Sequence, residues 1–284
     1  MEAAESLVKY NTFIMNLFDI KGKVILITGA AGILGTKMVD YFAAQSCKVV
    51  ILDRNETAGK ALERSVKERG QEALFLHTDV LNRELLEQNY AQIISLYGTI
   101  DVLINAAGGN VPGATIPPDK TIFDLDMESL KVVVDLNLFG TLLPTLVFSK
   151  IMAEKRRGII INISSESAIR PLTRVVGYGA AKAAVTNLTK YLAGEFAIKY
   201  GPQVRVNAIA PGFIITEQNR ALLLNEDGSY TERAKNIIAH TPFGRFGNPE
   251  EILGTLHWLS SDASAFVTGT LTVIDGGFDA YWLL

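Results

Sequence analysis

Short apolar runs rich in Val, Ile and Leu alternate along the chain with longer stretches of helical periodicity. The first two runs are KVILITG and KVVILD, and each is followed by a predicted helix, one through Met38 and Tyr41 and one from Glu56 to Arg69. Five further strands are predicted at ALFLHTDV, IDVLINAAG, GIIINIS, VRVNAIAPG and GTLTVIDGG. This alternation indicates βαβ units and a parallel sheet. Because the strands are apolar almost throughout, helices should cover both faces, and the predicted fold class is doubly wound α/β.

Two segments interrupt this pattern. Residues 1–20 precede the first strand, and we expect them to form an N-terminal arm. Residues 214–241 are polar and include NEDGSY, and a segment of this length is typical of a lid over a binding site. No internal repeat or linker divides the remainder, so residues 21–284 are predicted to form a single domain.

Composition and charge narrow the choice of partner. With 284 residues, 48% of them hydrophobic, the chain can bury a large core. A net charge of -3 argues against nucleic acid, because binding to its backbone needs a basic surface. No apolar run reaches the roughly 18 residues that span a bilayer, and the N-terminus is acidic where a secretory signal is basic. We therefore expect a cytoplasmic protein with a small-molecule partner and no membrane partner. The single cysteine, Cys47, and three histidines form no pattern of metal ligands.

A glycine-rich turn follows the first predicted strand. In TGAAGILG, Gly29, Gly32 and Gly35 let the backbone turn tightly and approach a ligand, while the next helix offers N–H groups to a pyrophosphate. Leu34 belongs to the same predicted cofactor-binding turn. Asp53 ends the second strand, where a carboxylate can accept hydrogen bonds from the adenosine ribose and would repel a 2′-phosphate. The pattern indicates a Rossmann-type fold and favours NAD over NADP, although the neighbouring arginine at position 54 could serve a 2′-phosphate.

A tyrosine and a lysine lie four positions apart in the predicted helix VVGYGAAKAAV. Positions i and i+4 share one face of a helix, so Tyr178 and Lys182 should project together. An adjacent ammonium favours the phenolate and could make the phenol a proton-transfer group near neutral pH. Ser165 follows the predicted strand upstream of this helix, and Ser164 is the alternative candidate for a serine in the site. Because successive strand residues face opposite sides of the sheet, only one of the two should reach the site.

Together, NAAG, Asn137, Ser165 and the YxxxK pair resemble the short-chain dehydrogenase/reductase family over about residues 20–278. The resemblance implies that Tyr178 is the general acid/base and that Lys182 binds the nicotinamide ribose and lowers the tyrosine pKa. It also implies that Ser165 binds the substrate oxygen and that Asn137 holds a relay water. The glycine spacing GxxGxxG departs from the TGxxxGxG that is usual in single-domain members. Further cofactor-binding positions implied by the resemblance are Asp79, Val80, Asn105, Ala106, Gly108, Pro211, Gly212 and Thr216.

Within this family the chain is similar to the D-mannonate oxidoreductases, also called fructuronate reductases. The segments that carry this similarity are GGNVPGAT, SAIRPLTRVVGY, APGFIITEQNRALLLNEDGS and AHTPFGRFGNPEE. A sugar acid needs a cation for its carboxylate, and arginine suits bidentate binding. The candidate substrate residues are Asn110, Ser165, Arg170, Arg174 and Asn219.

The sequence therefore predicts an NAD-dependent oxidoreductase that interconverts D-mannonate and D-fructuronate. The alternatives are a related polyol or ketogluconate reductase, such as a gluconate 5-dehydrogenase, and a catalytically silent NAD-binding regulator. The helices around residues 128–152 and 176–200, with the C-terminal strand, resemble family surfaces that assemble into tetramers, so a homotetramer is expected.

Overall fold

The computed structural model describes residues 17–281, and its centre is a seven-stranded parallel sheet. The strand order is β3-β2-β1-β4-β5-β6-β7, so the order reverses beside β1 and the sheet is doubly wound. All seven predicted strands are confirmed. Their bounds are β1 Val24–Thr28, β2 Lys48–Asp53, β3 Ala73–His77, β4 Val102–Asn105, β5 Gly158–Ile163, β6 Val204–Pro211 and β7 Leu271–Ile274.

Ten α-helices flank the sheet or extend from it within the described part of the chain. Two of them begin at asparagine N-caps: Asn55 accepts from the Ala58 N–H at 3.1 Å, and Asn82 accepts from the Leu85 N–H at 3.0 Å. The helices are α1 Ile33–Ala44, α2 Glu56–Glu68, α3 Arg83–Tyr97, α4 Met127–Val134, α5 Gly140–Phe148, α6 Lys150–Lys155, α7 Val176–Tyr200, α8 Glu217–Leu223, α9 Glu232–Ala239 and α10 Leu253–Ser260.

Apolar side chains on both faces of the sheet are buried. In β1, Ile25 and Ile27 join a core with α1, α2 and α10, whereas Val24 and Leu26 join a second core with α3, α5, α6 and α7. Neighbouring strand residues thus point to opposite faces, and each face is closed by helices. This arrangement explains why the strands read as continuous apolar runs.

Helices α4 and α5 are joined by a π-helical turn at Asp135–Phe139 and form one long apolar element, Met127–Phe148. By length and composition alone this element could cross a membrane. Its Val147 and Phe148 side chains are fully buried in the second core, as expected of a core helix in a globular domain. Val132, Phe139 and Leu146 lie seven residues apart on its outer side and are about half exposed.

The predicted lid has a small apolar core of its own. Helices α8 and α9 fall within residues 214–241, and the buried Leu223, Ala234 and Ile237 pack there with Phe246. Residues 214–241 therefore contain an ordered pair of short helices rather than an irregular loop.

Most of the predicted N-terminal arm lies outside the described residues. Its last residues contact the domain: Ile20 is buried, and the Leu17 carbonyl accepts from the Ala263 N–H at 2.9 Å. Cys47 is buried beside them, and its thiol donates to the Ile20 carbonyl at 3.2 Å. Burial raises the pKa of this thiol to about 12, which fits the predicted packing role.

Candidate active site

The glycine-rich turn between β1 and α1 is packed too closely for side chains. Gly29 has φ 64°, and a Cβ added there would lie 2.8 Å from the Ala107 Cα. A Cβ on Gly35 would lie 2.3 Å from the Gly29 carbonyl oxygen. The N-cap of α1 is Gly32, which has no side chain to cap the first N–H groups of the helix. Leu34 packs against the core beneath. The N-terminus of α1 thus has no side-chain cap, which suits the binding of a pyrophosphate.

Asp53 connects the end of β2 to this turn. One carboxylate oxygen accepts from the Ala31 N–H at 2.9 Å, and the other accepts from the Asn55 N–H at 2.8 Å. The carboxylate is held at the edge of the turn, and each oxygen keeps a lone pair for a further donor. This is the position from which an acidic side chain can bind ribose hydroxyls.

The NAAG turn after β4 borders the glycine-rich turn. The Thr28 hydroxyl accepts from the N–H groups of Ala106 and Ala107, both at 3.0 Å. Asn105 is buried and donates to Thr145 and Asn162, both at 2.9 Å. Asn105 therefore ties the central strand to its neighbours.

Tyr178 and Lys182 lie on one face of α7, as predicted. The Lys182 ammonium is 5.6 Å from the centre of the Tyr178 ring and donates to the Ile163 carbonyl at 2.7 Å. Lys182 is 4% exposed, and burial lowers its pKa from 10.5 to about 8. The lysine can therefore still carry its charge near neutral pH.

Asn137 lies across the site from α7, in the π-helical turn. Its side chain accepts from the Gly109 N–H at 3.1 Å and donates to the carbonyls of Gly109 and Val133. Gly108 separates Asn137 from Lys182, because a Cβ there would lie 2.6 Å from the Asn137 Oδ1 and 3.2 Å from the Lys182 Nζ. A side chain at position 108 would force these two groups apart.

The two serines after β5 point in different directions. Ser164 is buried, and its hydroxyl bonds to Thr186 at 2.7 Å and to the Lys182 carbonyl at 3.2 Å. Ser165 is hydrogen-bonded to Tyr178 and also accepts from Ser167. The geometry therefore favours Ser165 over Ser164 as the serine of the site.

The chain's own groups do not lower the pKa of Tyr178. Burial raises the pKa above its usual value, and the hydrogen bond from Ser165 only partly opposes this effect. The lysine, itself in a poorly solvated position, does not reverse the direction. The expectation that Lys182 lowers the tyrosine pKa is therefore not met by the side chains alone.

The remaining predicted cofactor residues lie at the ends of β3 and β6. Asp79 accepts from the Leu81 N–H at 2.9 Å and is exposed, while Val80 beside it is buried. Pro211 ends β6, and the Gly212 N–H donates to the Ile274 carbonyl at 2.9 Å. Thr216 caps α8 through a reciprocal capping box with Asn219. These segments converge on the carboxyl edge of the sheet, where doubly wound folds bind ligands.

The predicted substrate residues other than Ser165 differ in how far other groups of the chain already engage them. Asn219 donates to the Ile214 carbonyl and accepts from the Thr216 N–H, so its amide is engaged in starting α8. Asn110 is exposed and donates to Thr115 at 3.1 Å. Arg170 donates to the Asp279 carboxylate at 2.7 Å and also to the Asp279 carbonyl, which weighs against its role as the substrate cation. Arg174 stands just before α7 with φ 76°.

Two charged residues near the site were not singled out from the sequence. Arg233, on the lid helix α9, donates to the Thr173 hydroxyl at 3.2 Å. Glu166, directly after Ser165, is 2% exposed, and neither carboxyl oxygen has a hydrogen-bond partner. The only signal for Glu166 was its position next to Ser165, and nothing in the sequence connects Arg233 to Thr173. Among residues 17–281, no group of three or more His, Cys, Asp or Glu side chains could hold a metal ion.

Comparison with known proteins agrees with this geometry. A family profile described as enoyl-(acyl carrier protein) reductase matches residues 29–279. The chain belongs to the short-chain dehydrogenase/reductase family. An uncharacterized oxidoreductase from Haemophilus influenzae is 42% identical over 283 residues, which cover 95% of this chain and 98% of the relative. The uncharacterized oxidoreductase UxuB of Bacillus subtilis is 41% identical and covers 93% of this chain and 97% of its own.

Solved structures of similar dehydrogenases align over nearly the whole chain. A Haemophilus influenzae protein provisionally named D-mannonate oxidoreductase, with bound NAD, has a TM-score of 0.87 and 41% identity, covering 93% of this chain and 97% of that one. A gluconate 5-dehydrogenase from Burkholderia cenocepacia, in complex with NADP and tartrate, has a TM-score of 0.84 and 29% identity, covering 95% and 100%. The fold and the oxidoreductase class of this chain follow from these likenesses.

Glu166 should make stability depend on pH. Burial, together with the negative charges of Asp275 and Asp279, raises its pKa from 4.5 to about 7, and Arg170 partly opposes this rise. Between these two values the folded state holds a proton that the unfolded state has released, so the free energy of unfolding should fall as pH rises. We expect a loss of about 3 kcal/mol between about pH 4.5 and pH 7.

Urea denaturation across this pH range measures the effect. Glu166→Gln keeps the shape of the protonated side chain and should flatten the profile, whereas Glu226→Gln, at an exposed position, should not. An unchanged slope in Glu166→Gln would show that Glu166 is ionised in the folded state.

Proposed function

We propose that this protein is an NAD-dependent dehydrogenase that interconverts D-mannonate and D-fructuronate. The observation that carries the proposal is the convergence of Ser165, Tyr178 and the buried Lys182 at the carboxyl edge of the sheet, beside the glycine-rich turn. This convergence puts a proton donor, a hydroxyl and a cation next to a dinucleotide-binding turn. A secondary alcohol or ketone is the substrate that such a site can use.

The residues present fit a dinucleotide. The uncapped N-terminus of α1 and the tightly packed Gly29 and Gly35 suit the pyrophosphate, and Asp53 suits the adenosine ribose. Gly108 lies beside Lys182, the residue expected to bind the nicotinamide ribose, and a side chain at this position would crowd the lysine and Asn137. When bound, NAD(H) accepts or supplies the hydride, and its oxidised ring carries positive charge.

The chain's own groups handle the proton. During reduction, Tyr178 gives its phenolic proton to the carbonyl oxygen of the substrate as negative charge develops there. Ser165 donates a hydrogen bond to the same oxygen and stabilises that charge. The ammonium of Lys182, held by the Ile163 carbonyl, stabilises the phenolate that remains. Asn137, fixed by Gly109 and Val133, helps to return the proton from solvent through a bound water.

The choice of D-mannonate rests on the relative of that provisional name, which is 41% identical and was crystallised with NAD. The gluconate 5-dehydrogenase with NADP, at 29% identity, supports the alternative of a ketogluconate reductase. Both candidates are sugar acids, so the substrate class is the same in either case.

We also propose a cytoplasmic homotetramer. Val132, Phe139 and Leu146 on the Met127–Phe148 element are about half exposed, and Ile198 on α7 is 85% exposed. An apolar stripe of this extent is typical of a surface that meets another subunit.

A substrate panel tests the proposed reaction. With NADH, the protein should reduce D-fructuronate at a kcat/KM at least about tenfold above that for 5-ketogluconate and for neutral ketoses, measured by NADH absorbance. A preference for 5-ketogluconate would support the alternative. No activity on any keto sugar acid would contradict the proposal.

Removing the phenolic hydroxyl tests the proton donor. Tyr178→Phe should lower kcat by about 10²-fold or more while NADH still binds, because only the proton-transfer group is lost. Tyr191→Phe removes a hydroxyl from an exposed position on the same helix and should have no effect. Turnover of Tyr178→Phe close to that of the unchanged protein would rule out this role.

The cofactor preference depends on Asp53. NADH should give a higher kcat/KM than NADPH, and Asp53→Asn should narrow the ratio by about tenfold or more, because a charged acceptor for the ribose is lost and repulsion of the 2′-phosphate disappears. Asp40→Asn makes the same charge change on the surface of α1 and should leave the ratio unchanged. Equal use of both cofactors by the unchanged protein would contradict the NAD assignment.

A further inference from the structure

The carboxylate of a sugar acid needs a cation, and the contacts of Arg170 make this residue a poor candidate. That guanidinium is held by both the carboxylate and the carbonyl of Asp279. An arginine already paired with an acid offers little to a second carboxylate. Other arginines near α7 are therefore the better candidates.

Arg233 joins α9 to the loop that precedes α7. It is the second residue of α9, and its guanidinium donates to the Thr173 hydroxyl at 3.2 Å. Thr173 belongs to the loop that leads from Ser165 to Tyr178. A side chain of the lid thus reaches the segment that begins the catalytic helix.

Arg174 follows Thr173 and has an unusual backbone conformation. Its φ is 76°, and its carbonyl is held by the Ile116 N–H at 3.1 Å. The two other non-glycine residues with positive φ among residues 17–281, Ser46 and Arg156, follow the ends of helices. Arg174 terminates no helix and lies in the turn that leads into α7.

Arg174 follows Thr173, the residue that Arg233 contacts, so two positively charged side chains belong to the same part of the surface. Burial lowers the pKa of Arg233, and the positive charge of Arg174 lowers it further. Within residues 17–281, neither arginine forms an ion pair with an acidic side chain. Two neighbouring arginines without an acid between them make a site for an anion, and a carboxylate matches their planar geometry.

We propose that Arg233, together with Arg174, binds the carboxylate of the sugar-acid substrate, so that the lid helix supplies part of the substrate site. This inference rests on the proposed function, because it takes a sugar acid as the substrate. The adenosine end of the cofactor is expected at Asp53, in a different part of the sheet edge, so the pair is not a 2′-phosphate site. A polyhydroxy chain with a terminal carboxylate is the ligand class that this pair selects.

Steady-state kinetics with D-fructuronate and NADH test the inference. Arg233→Met and Arg174→Met should each raise KM at least about tenfold, with a smaller effect on kcat, because a charged partner of the carboxylate is lost. Arg233→Lys keeps the positive charge but not the planar guanidinium, so its KM should lie between those of the unchanged protein and Arg233→Met. Lys235→Met makes the same charge change on α9, at an exposed residue paired with Glu232, and should leave KM unchanged. The dissociation constant of D-mannonate, measured by calorimetry, should follow KM, and NADH binding should confirm that each variant is folded.

The outcomes separate this inference from the proposed function. If the unchanged protein reduces D-fructuronate but both methionine variants keep its KM, the carboxylate site is wrong and the reaction stands. A rise in KM in Arg170→Met alone would assign the carboxylate to Arg170 and also overturn the inference. If the unchanged protein reduces no keto sugar acid, the proposed function itself fails.

Discussion

The ammonium of Lys182 donates to the Ile163 carbonyl at the carboxyl end of β5, and the candidate site is arranged around this buried charge. A buried lysine is costly unless its donors are used, so the contact fixes the register between α7 and the central strands. It also places Tyr178 one helical turn earlier, above the sheet edge. Gly108 and Asn137 complete the enclosure, because only a glycine fits between the lysine and the asparagine. Substitutions that shift β5 against α7 should therefore disturb the site even where they lie far from it.

A second set of buried polar groups supports this register from beneath. Asn105 on β4 donates to Asn162 on β5 and to Thr145 on α5, and Asn162 donates to Thr189 on α7. These bonds link two strands to helices on one face of the sheet, and leaving any of these groups unpaired in the core would cost stability. The chain thus positions its site through polar contacts within an otherwise apolar core.

The predicted lid and the loop before α7 are joined by fewer contacts than the buried network. The lid has its own apolar cluster, and its arginine reaches the loop through a single side-chain hydrogen bond. Such a contact is weak compared with the buried network. This part of the chain can therefore vary between relatives while the buried network is kept, and the proteins of similar fold carry different substrate names.

The sequence by itself determined the strands, the glycine-rich turn and the pairing of Tyr178 with Lys182, because these depend on local periodicity and on spacing within one helix. Strand alternation also predicted that only one of Ser164 and Ser165 reaches the site. Only the tertiary structure could show that Ser164 faces Thr186, that Arg170 pairs with Asp279 and that Arg233 meets Thr173. These contacts join residues that are distant along the chain or that lie in irregular loops. Such contacts cannot be predicted from periodicity, because they depend on how the packed helices and strands bring their ends together.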